Sequence, residues 1–431
     1  MSTKSTTSAN IFPKLSDGLF IKNSDSRILY LNPEVPDWIT INVKYKSIFD
    51  LFDGCHPIES ITQHIRKQYA NESELLVNQI SNLIKDSKIF AHNSIPQKQK
   101  ANKENGVLKS VYLTLTDDCN LKCKYCYTKE RIRAKTSDLS QWVSYVDKVL
   151  SISEPLKFTF TGGEPLLVPF LFDLAKYIHE RGSESLLLTN GLLISDEIIA
   201  EKISKYFTQI RISLDSIHEE QNAYLRGPNV LKKVEAAFSL LSKVKADVIV
   251  QATVTQINKG EVAEFAAHFN NRVNFQPLYH MGSARDNAEL AISGMEYYEA
   301  LSQAGISGYR QGIHSFKGNP CKRCSMAIEE LSIAPNGDLY PCHMLHYPEL
   351  RIGNLNEDTI TELYSESPVF RNLRDINVDT ITQCKSCPVR NFCAGGCRAR
   401  IDFKKYGLKG NDSFCIFERE SILDALMYSF G

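Results

Sequence analysis

The chain has 431 residues, 43% of them hydrophobic, which is enough for two or three domains with their own cores. Its 50 Lys and Arg residues balance 50 Asp and Glu residues, so no overall field favours nucleic acid or an anionic membrane surface. The start of the chain is polar, without an apolar signal segment, and no apolar run is long enough to cross a bilayer. We therefore expect a cytoplasmic protein without a membrane span.

Residues 1–91 predict a small α+β module. The segments GLFIKN and RILYLN, separated by SDS, indicate a β-hairpin. The segments PIESITQHIRKQYA and ESELLVNQISNLIKDSKIF carry apolar residues at helical spacing, with Pro57 and Asn71 near the expected helix starts. Residues 92–107 are rich in Lys, Gln and Asn, which predicts a solvated linker.

Short apolar runs alternate with helical patterns across residues 108–317. The six runs are SVYLTLT, LKFTFTG, SLLLTNG, QIRISLD, DVIVQATV and VNFQPLY. Repeated β–α units predict an α/β fold with a parallel sheet, such as a partial (β/α)6 barrel. In such sheets the functional side chains collect at the carboxyl ends of the strands.

The 12 cysteines are unevenly distributed. Cys55 stands alone, and eight cysteines lie within residues 321–415. The other three, Cys119, Cys123 and Cys126, form a C-x3-C-x2-C motif directly after SVYLTLT, the first of the six apolar runs. In a long chain without a leader, such crowding favours metal binding over disulfides. Three thiolates on one loop can hold three irons of a [4Fe–4S] cluster and leave the fourth open. A zinc site or three unrelated thiols are the alternatives, but zinc usually takes four ligands and no fourth lies nearby in sequence.

With Tyr125 before its last cysteine, this motif resembles that of the radical S-adenosylmethionine (SAM) superfamily, and the resemblance covers residues 108–310. The resemblance implies that the open iron chelates the amino and carboxylate groups of SAM. One electron from the reduced cluster then cleaves the sulfonium, and the 5′-deoxyadenosyl radical abstracts a substrate hydrogen. A donor such as flavodoxin or ferredoxin would supply that electron.

The resemblance also assigns the cofactor contacts. In the GGE segment, glycines allow close backbone approach and the Glu164 carboxylate matches the methionine ammonium. Ser213 and Asp215 alternate along a strand end and would contact the ribose, and Arg226 would pair with the methionine carboxylate. Singly, these motifs have ordinary alternatives, such as a turn for GGEP or an exposed polar pair for Ser-x-Asp. The full predicted set is Tyr125, Gly162, Gly163, Glu164, Asn190, Ser213, Asp215, Arg226 and Gln276.

Residues 318–431 resemble the SPASM extension of radical SAM peptide-modifying enzymes. The resemblance implies two auxiliary [4Fe–4S] clusters, which makes three clusters in all. The implied ligands are Cys321, Cys324, Cys342 and Cys397 for the first and Cys384, Cys387, Cys393 and Cys415 for the second. Cys321 could instead be free, which would leave the first auxiliary cluster open to substrate. Two zinc sites are the alternative for the whole domain.

His343 directly follows Cys342, in the position where related sulfatase maturases carry an Asp that takes a proton from the substrate. As a histidine it is a candidate proton acceptor, and the alternative is a purely structural or surface histidine. Substrate specificity is expected to depend on side chains at the mouth of the barrel, such as Tyr279, His280 and Arg285.

Residues 1–91 also resemble the winged-helix, PqqD-like recognition element fused to many maturases of ribosomally made peptides. This resemblance implies that a leader peptide binds as an added strand at the hairpin edge, beside the last helix. A winged helix also suits DNA, but the helices here lack a basic recognition face, so we expect no nucleic-acid partner.

The sequence therefore predicts an oxidoreductase that cross-links a ribosomal precursor peptide through a thioether or carbon–carbon bond. A protein oxidase of the sulfatase-maturase type, a radical epimerase and a non-catalytic iron–sulfur or zinc regulator that binds DNA are the alternatives.

Overall fold

A computed structural model describes residues 12–92, 107–131, 133–306 and 322–428. The N-terminal module is a three-stranded antiparallel sheet followed by three helices. Its elements are β1 (Phe20–Asn23), β2 (Arg27–Asn32), β3 (Asp37–Asn42), α1 (Lys46–Phe49), α2 (Ile58–Gln68) and α3 (Ser73–Asp86). The predicted hairpin and the two longer helices are confirmed, and Pro57 caps the start of α2. The third strand was not predicted.

The central sheet contains all six strands predicted from the apolar runs. They are β4 (Ser110–Thr116), β5 (Lys157–Gly162), β6 (Glu184–Thr189), β7 (Gln209–Ser213), β8 (Val248–Val254) and β9 (Val273–Pro277). All five neighbouring pairs are parallel. The helices are α4 (Leu139–Leu150), α5 (Leu171–His179), α6 (Glu197–Tyr206), α7 (Glu219–Leu225), α8 (Val230–Lys243), α9 (Val262–His268) and α10 (Gly294–Gln303). The α/β architecture with a parallel sheet is thus confirmed.

The C-terminal region extends this sheet. Its strands are β10 (Glu330–Ile333), β11 (Asp338–Tyr340) and β12 (Gly353–Asn354), and the sheet order is β12-β11-β10-β4-β5-β6-β7-β8-β9. Strand β10 is parallel to β4, whereas β11 and β12 form antiparallel pairs. Its helices are α11 (Ile360–Glu366), α12 (Pro368–Arg374), α13 (Arg390–Cys393), α14 (Phe403–Tyr406) and α15 (Cys415–Tyr428). A region predicted to have few strands therefore shares a sheet with the preceding domain.

Strand β2 is buried on both faces because its apolar residues do not alternate with polar ones. Ile28 and Tyr30 belong to the core that the N-terminal sheet forms with its own helices. Leu29 and Leu31 belong to a second core, which includes Leu423 of α15. Two hydrogen bonds to carbonyl groups of α15 reinforce this contact, from Thr40 Oγ1 (2.8 Å) and Arg27 Nη1 (3.0 Å). The N-terminal module is thus packed on the last helix.

Among the described residues, none of the helices has the length and apolar character needed to cross a membrane.

Candidate active site and metal centres

A cavity of about 470 Å³ is lined by residues from the ends of strands β4–β9 and from the C-terminal region. Because neighbouring strands are parallel, their carboxyl ends meet at one edge, and the loops that follow them surround one space. The sequence-predicted residues in its wall are Cys119, Cys123, Tyr125, Cys126, Gly162, Gly163, Asn190, Ser213, Arg226, Gln276, Cys324, Cys342, His343 and Cys397. Most of the predicted site is therefore brought together.

The C-x3-C-x2-C loop is held by neighbouring backbone. The amide of Lys124 donates to the carbonyl of Leu225 (2.9 Å), and the amide of Ser283 donates to the carbonyl of Cys126 (2.9 Å). Gly282 has φ +56°, and a Cβ there would lie 2.2 Å from the Cys126 carbonyl oxygen, so glycine is required for this contact. These contacts hold the three cysteines on one short loop in the cavity wall.

Burial raises the pKa of the Cys119 thiol, and it raises that of the Cys123 thiol to about 11. A buried thiol of this kind stays neutral unless a cation offsets the cost of its ionisation. Iron is such a cation, and thiolates at three positions fit a [4Fe–4S] cluster with one open iron. The donor set therefore fits the predicted cluster.

The glycines of the GGE segment allow two loops to touch. Gly162 has φ +137°, and a Cβ there would lie 2.3 Å from the Thr116 carbonyl oxygen. A Cβ on Gly163 would lie 2.1 Å from the Asp118 carbonyl oxygen. Both glycines also line the cavity. They are required to pack the end of β5 against the start of the cysteine loop, a contact that the sequence alone did not indicate.

The carboxylate of Glu164 is hydrogen-bonded within the chain. It is fully buried behind the cavity wall and accepts hydrogen bonds from the Leu166 amide (3.0 Å), Thr189 Oγ1 (2.7 Å) and the Asn190 amide (2.7 Å). Burial raises its pKa despite these donors. Because one of its oxygens accepts from the Asn190 amide, this carboxylate positions Asn190, and its contact with the methionine ammonium stays a prediction.

Ser213 and Asp215 are also separated, because β7 ends at Ser213 and the chain turns after it. Ser213 lines the cavity, whereas Asp215 is buried and forms two hydrogen bonds with Arg226, of 2.7 and 3.0 Å. Asp215 also accepts from the Tyr125 hydroxyl and from the Thr253 amide (2.9 Å). Asp215 therefore orients Arg226, and the guanidinium predicted to hold the cofactor carboxylate is paired within the protein.

The SPASM-like cysteines fall into two groups. Cys324, Cys342 and Cys397 line the large cavity, and Cys321 lies outside the described residues. A second, smaller cavity is lined by Cys384, Cys387, Cys393 and Cys415. Burial raises the pKa of Cys324 and of Cys384 to about 11, so these thiols too need a cation in order to ionise. The groups match the predicted ligand sets apart from Cys321, and the donors fit iron–sulfur clusters.

His343 lies in the wall of the large cavity beside an acidic residue. Its Nδ1 is 3.5 Å from Glu330 Oε1 and 3.9 Å from the sulfur of Cys342. Its ring stacks on Tyr112 with 3.9 Å between ring centroids. One ligand atom from each of Glu330, Cys342 and His343 falls within 4.8 Å of the others. Sequence reasoning missed Glu330, because only the pairing of β10 with β4 brings it to the cavity.

Of the residues expected to set specificity, only Tyr279 lies in the cavity wall. Tyr279 is hydrogen-bonded to the thiol of Cys397, and burial raises its pKa. Arg285 instead forms ion pairs with Glu130 (3.2 Å) and Asp402 (3.6 Å), and His280 is absent from the wall.

Family comparisons agree with this geometry. Residues 113–268 match the radical SAM superfamily, and residues 324–388 match the SPASM iron-sulfur cluster-binding domain. The chain carries a radical SAM domain and a SPASM domain. Radical SAM domains bind SAM and a [4Fe–4S] cluster, and SPASM domains bind auxiliary iron–sulfur clusters. The total of three clusters and the ligands of each remain predictions.

Several known proteins are similar to this radical SAM/SPASM chain. The AdoMet-dependent heme synthase of Methanosarcina barkeri is 24% identical over 338 residues, which cover 70% of this chain and 95% of that protein. The mycofactocin maturase MftC of Mycobacterium ulcerans is 25% identical over 341 residues, 73% of this chain and 89% of that protein. The crystal structure of Streptococcus suis SuiB bound to precursor peptide SuiA has a TM-score of 0.58 at 16% identity, covering 94% of this chain and 99% of SuiB. That structure shows a shared fold.

Proposed function

We propose that this radical SAM/SPASM protein modifies a ribosomally made precursor peptide by oxidative cross-linking. The observation that carries the proposal is the single cavity whose wall contains both the C-x3-C-x2-C cysteines and three SPASM cysteines. A reacting group in this space lies close to both sets of thiols. The similarity to a mycofactocin maturase and to SuiB, which was crystallised with a precursor peptide, supports a peptide as the substrate.

When bound, SAM and the reduced cluster supply a radical that removes a substrate hydrogen. The residues of the chain would do the rest. The C-x3-C-x2-C cysteines would hold the cluster, while Asn190, Ser213 and Gln276 offer polar groups to SAM at the strand ends. Flavodoxin or ferredoxin would serve as the electron donor.

Forming a thioether or carbon–carbon bond removes two hydrogen atoms from the peptide. One leaves by abstraction, and the other leaves as a proton and an electron. His343 would accept the proton, and its position in the cavity wall, 3.5 Å from Glu330 Oε1, supports this role. The SPASM cysteines would hold iron–sulfur clusters, the chemical class that accepts the electron.

The N-terminal module would bind the leader of the precursor as a PqqD-like element. Its sheet has two edge strands, β1 and β3, and a peptide strand can pair with the exposed backbone of an edge. Removing the module would be an ambiguous test, because Leu29 and Leu31 pack on α15 and a deletion would expose that helix. Substitutions on exposed residues are the better probe.

The test is anaerobic co-expression with a short peptide encoded beside the gene, in ordinary and in deuterated water, followed by mass measurement. We expect the peptide to lose two hydrogens when it is co-expressed with the wild-type enzyme. With the Cys123→Ala variant its mass should not change. His343→Asn should lower the yield about 100-fold, while SAM binding stays unchanged and His343→Asp restores part of the activity. Full activity in His343→Asn would show that another group takes the proton.

Two other outcomes would contradict the cross-linking proposal. A peptide whose mass is unchanged in ordinary water but which gains one deuteron in deuterated water would identify an epimerase. An unmodified peptide, together with oxidation of a folded protein substrate, would identify a protein oxidase of the sulfatase-maturase type.

A further inference from the structure

Arg211 is a second arginine in the wall of the large cavity, besides Arg226. It lies on β7 and forms part of the wall of the large cavity. Its Nε donates a 3.2 Å hydrogen bond to Gln209 Oε1. Within the described part of the chain, Arg211 forms no ion pair with a carboxylate, whereas Arg226 in the same wall is paired with Asp215. Arg211 thus places a positive charge in the cavity wall, and the proposed function gives it no role.

The depth of Arg211 follows from the alternation of the strand. Ile210 and Ile212 are buried in the apolar core, so Arg211 and Ser213 lie on the opposite, cavity-facing side of β7. Two residues along a strand span roughly 6.6 Å. Ser213 ends the strand where the ribose contact is predicted, so Arg211 lies one layer deeper. A group bound there sits below the predicted cofactor position, where a substrate hydrogen has to be presented.

The electrostatic surroundings of Arg211 favour an anion. Burial lowers the pKa of its guanidinium, and the Tyr112 phenol and the Asp247 carboxylate oppose this effect only in part. The carboxylate of Asp247 is already engaged with Arg272 (3.2 Å) and Gln209 (3.0 Å). Taking an arginine out of water is costly unless a partner compensates its charge, and a carboxylate matches the guanidinium fork with two parallel hydrogen bonds.

We propose that Arg211 binds a carboxylate of the peptide substrate, from either its C-terminus or an Asp or Glu side chain, and so places the attacked residue beneath the cofactor. This inference rests on the proposed function and narrows its substrate to peptides with a carboxylate near the reacting residue. Lysine at this position would keep the charge but lose the two-pronged hydrogen bonding.

The test uses reconstituted holoenzyme with SAM under anaerobic conditions and three synthetic pentapeptides. The first is N-acetylated and ends in a free carboxylate, the second is its C-terminal amide, and the third is that amide with glutamate as its central residue. Equilibrium dialysis measures binding. We expect one or both carboxylate peptides to bind at least about tenfold more tightly than the plain amide, and the preferred peptide identifies the source of the carboxylate.

Three variants complete the test. Arg211→Met should abolish the preference, and Arg211→Lys should keep part of it. Lys243→Met removes an equal charge from an exposed position outside the cavity wall and should leave the preference intact. The proposal is overturned if wild-type protein binds none of the peptides, if it binds all three equally, or if Arg211→Met keeps the preference.

A parallel measurement of SAM affinity separates this proposal from the proposed function. Arg211→Met should bind SAM within about twofold of wild type, since the predicted cofactor contacts lie at the strand ends. A tenfold loss of SAM affinity with an intact peptide preference would assign Arg211 to the cofactor and overturn the proposal. Wild-type protein that binds carboxylate peptides but not SAM would refute the proposed function alone.

Discussion

The backbone amide of Cys397 donates a 2.8 Å hydrogen bond to Oδ2 of Asp412. Cys397 lines the large cavity, and Asp412 lines the smaller one that contains the other four SPASM cysteines. The same carboxylate oxygen accepts a 2.6 Å bond from Arg400, which is also paired with Glu418. One buried charged group therefore links the walls of both predicted auxiliary cluster sites.

We predict that Asp412→Asn destabilises the C-terminal region by about 3 kcal/mol, because it leaves the buried Arg400 with one carboxylate in place of two. Thermal unfolding and iron content measure the effect, and both should fall. Asp375→Asn is the matched control, since Asp375 is exposed at the carboxyl end of α12. Equal stability of the two variants would contradict the structural role of Asp412.

Glu164→Gln should weaken SAM binding about tenfold and lower the free energy of unfolding by about 2 kcal/mol. Thr189 Oγ1 and the Asn190 amide donate to the two Glu164 oxygens, so the NH2 group of a glutamine would have to face one of these donors. Asn190 would then shift in the cavity wall. Titration with SAM and chemical denaturation measure the two effects. Glu180→Gln, at an exposed position, is the control. Unchanged stability with lost SAM binding would instead support direct contact between this carboxylate and SAM.

The buried thiols make the metal-free protein sensitive to pH. Because the pKa of Cys123 is about 11, its thiolate fraction at pH 8 should be more than 100-fold below that of an ordinary cysteine with a pKa of about 8.5. Alkylation of Cys123 by iodoacetamide, followed by mass spectrometry, should be correspondingly slow and rise about tenfold per pH unit up to pH 11. Rapid alkylation of Cys123 at pH 8 would refute its burial.

The same shift sets a pH dependence of stability. The folded state holds the Cys123 proton more tightly than the unfolded chain does, so this contribution to stability is complete at low pH. The free energy of unfolding of the metal-free protein should therefore fall as the pH rises from about 9 towards 11. Cys123→Ser should reduce this fall. Chemical denaturation at several pH values measures it, and a flat profile would contradict the shift.

Leu31→Ala should lower the free energy of unfolding by about 3 kcal/mol, because Leu31 is fully buried against the C-terminal region. Hydrogen exchange should then increase in both β2 and α15. Ile21→Ala lies in the same sheet, but its side chain is 51% exposed, so it should have little effect. Faster exchange in β2 alone would show that the module and α15 open independently.

The sequence predicted the six central strands because each is a short, strongly apolar run between helical patterns. It missed β3, whose apolar residues Trp38, Ile39 and Ile41 are only partly alternating, and β10, which has four residues. Such short elements form because neighbouring strands supply their hydrogen bonds, and local pattern carries little of that information.

For the site, motif spacing predicted which residues gather but not where each side chain points. The carboxylates of Glu164 and Asp215, which are predicted to contact the cofactor, accept hydrogen bonds from Asn190 and Arg226, and the motifs did not indicate these contacts. The turn after β7 decides the direction of Asp215, and the backbone donors around it decide that of Glu164. The sequence contains no periodic pattern from which the direction of either side chain could be predicted. Glu330 was missed because only the pairing of β10 with β4 brings it to the cavity, whereas Arg211 could have been found from the alternation of β7, which it shares with Ser213.

The packing of β2 on α15 has a consequence for how the protein is made. Residues 20–42 leave the ribosome long before residues 422–427, which include partners of Leu29 and Leu31. Until those residues emerge, one apolar face of the earliest sheet stays in contact with water or with a chaperone. This early module thus completes its packing only after α15 has been made.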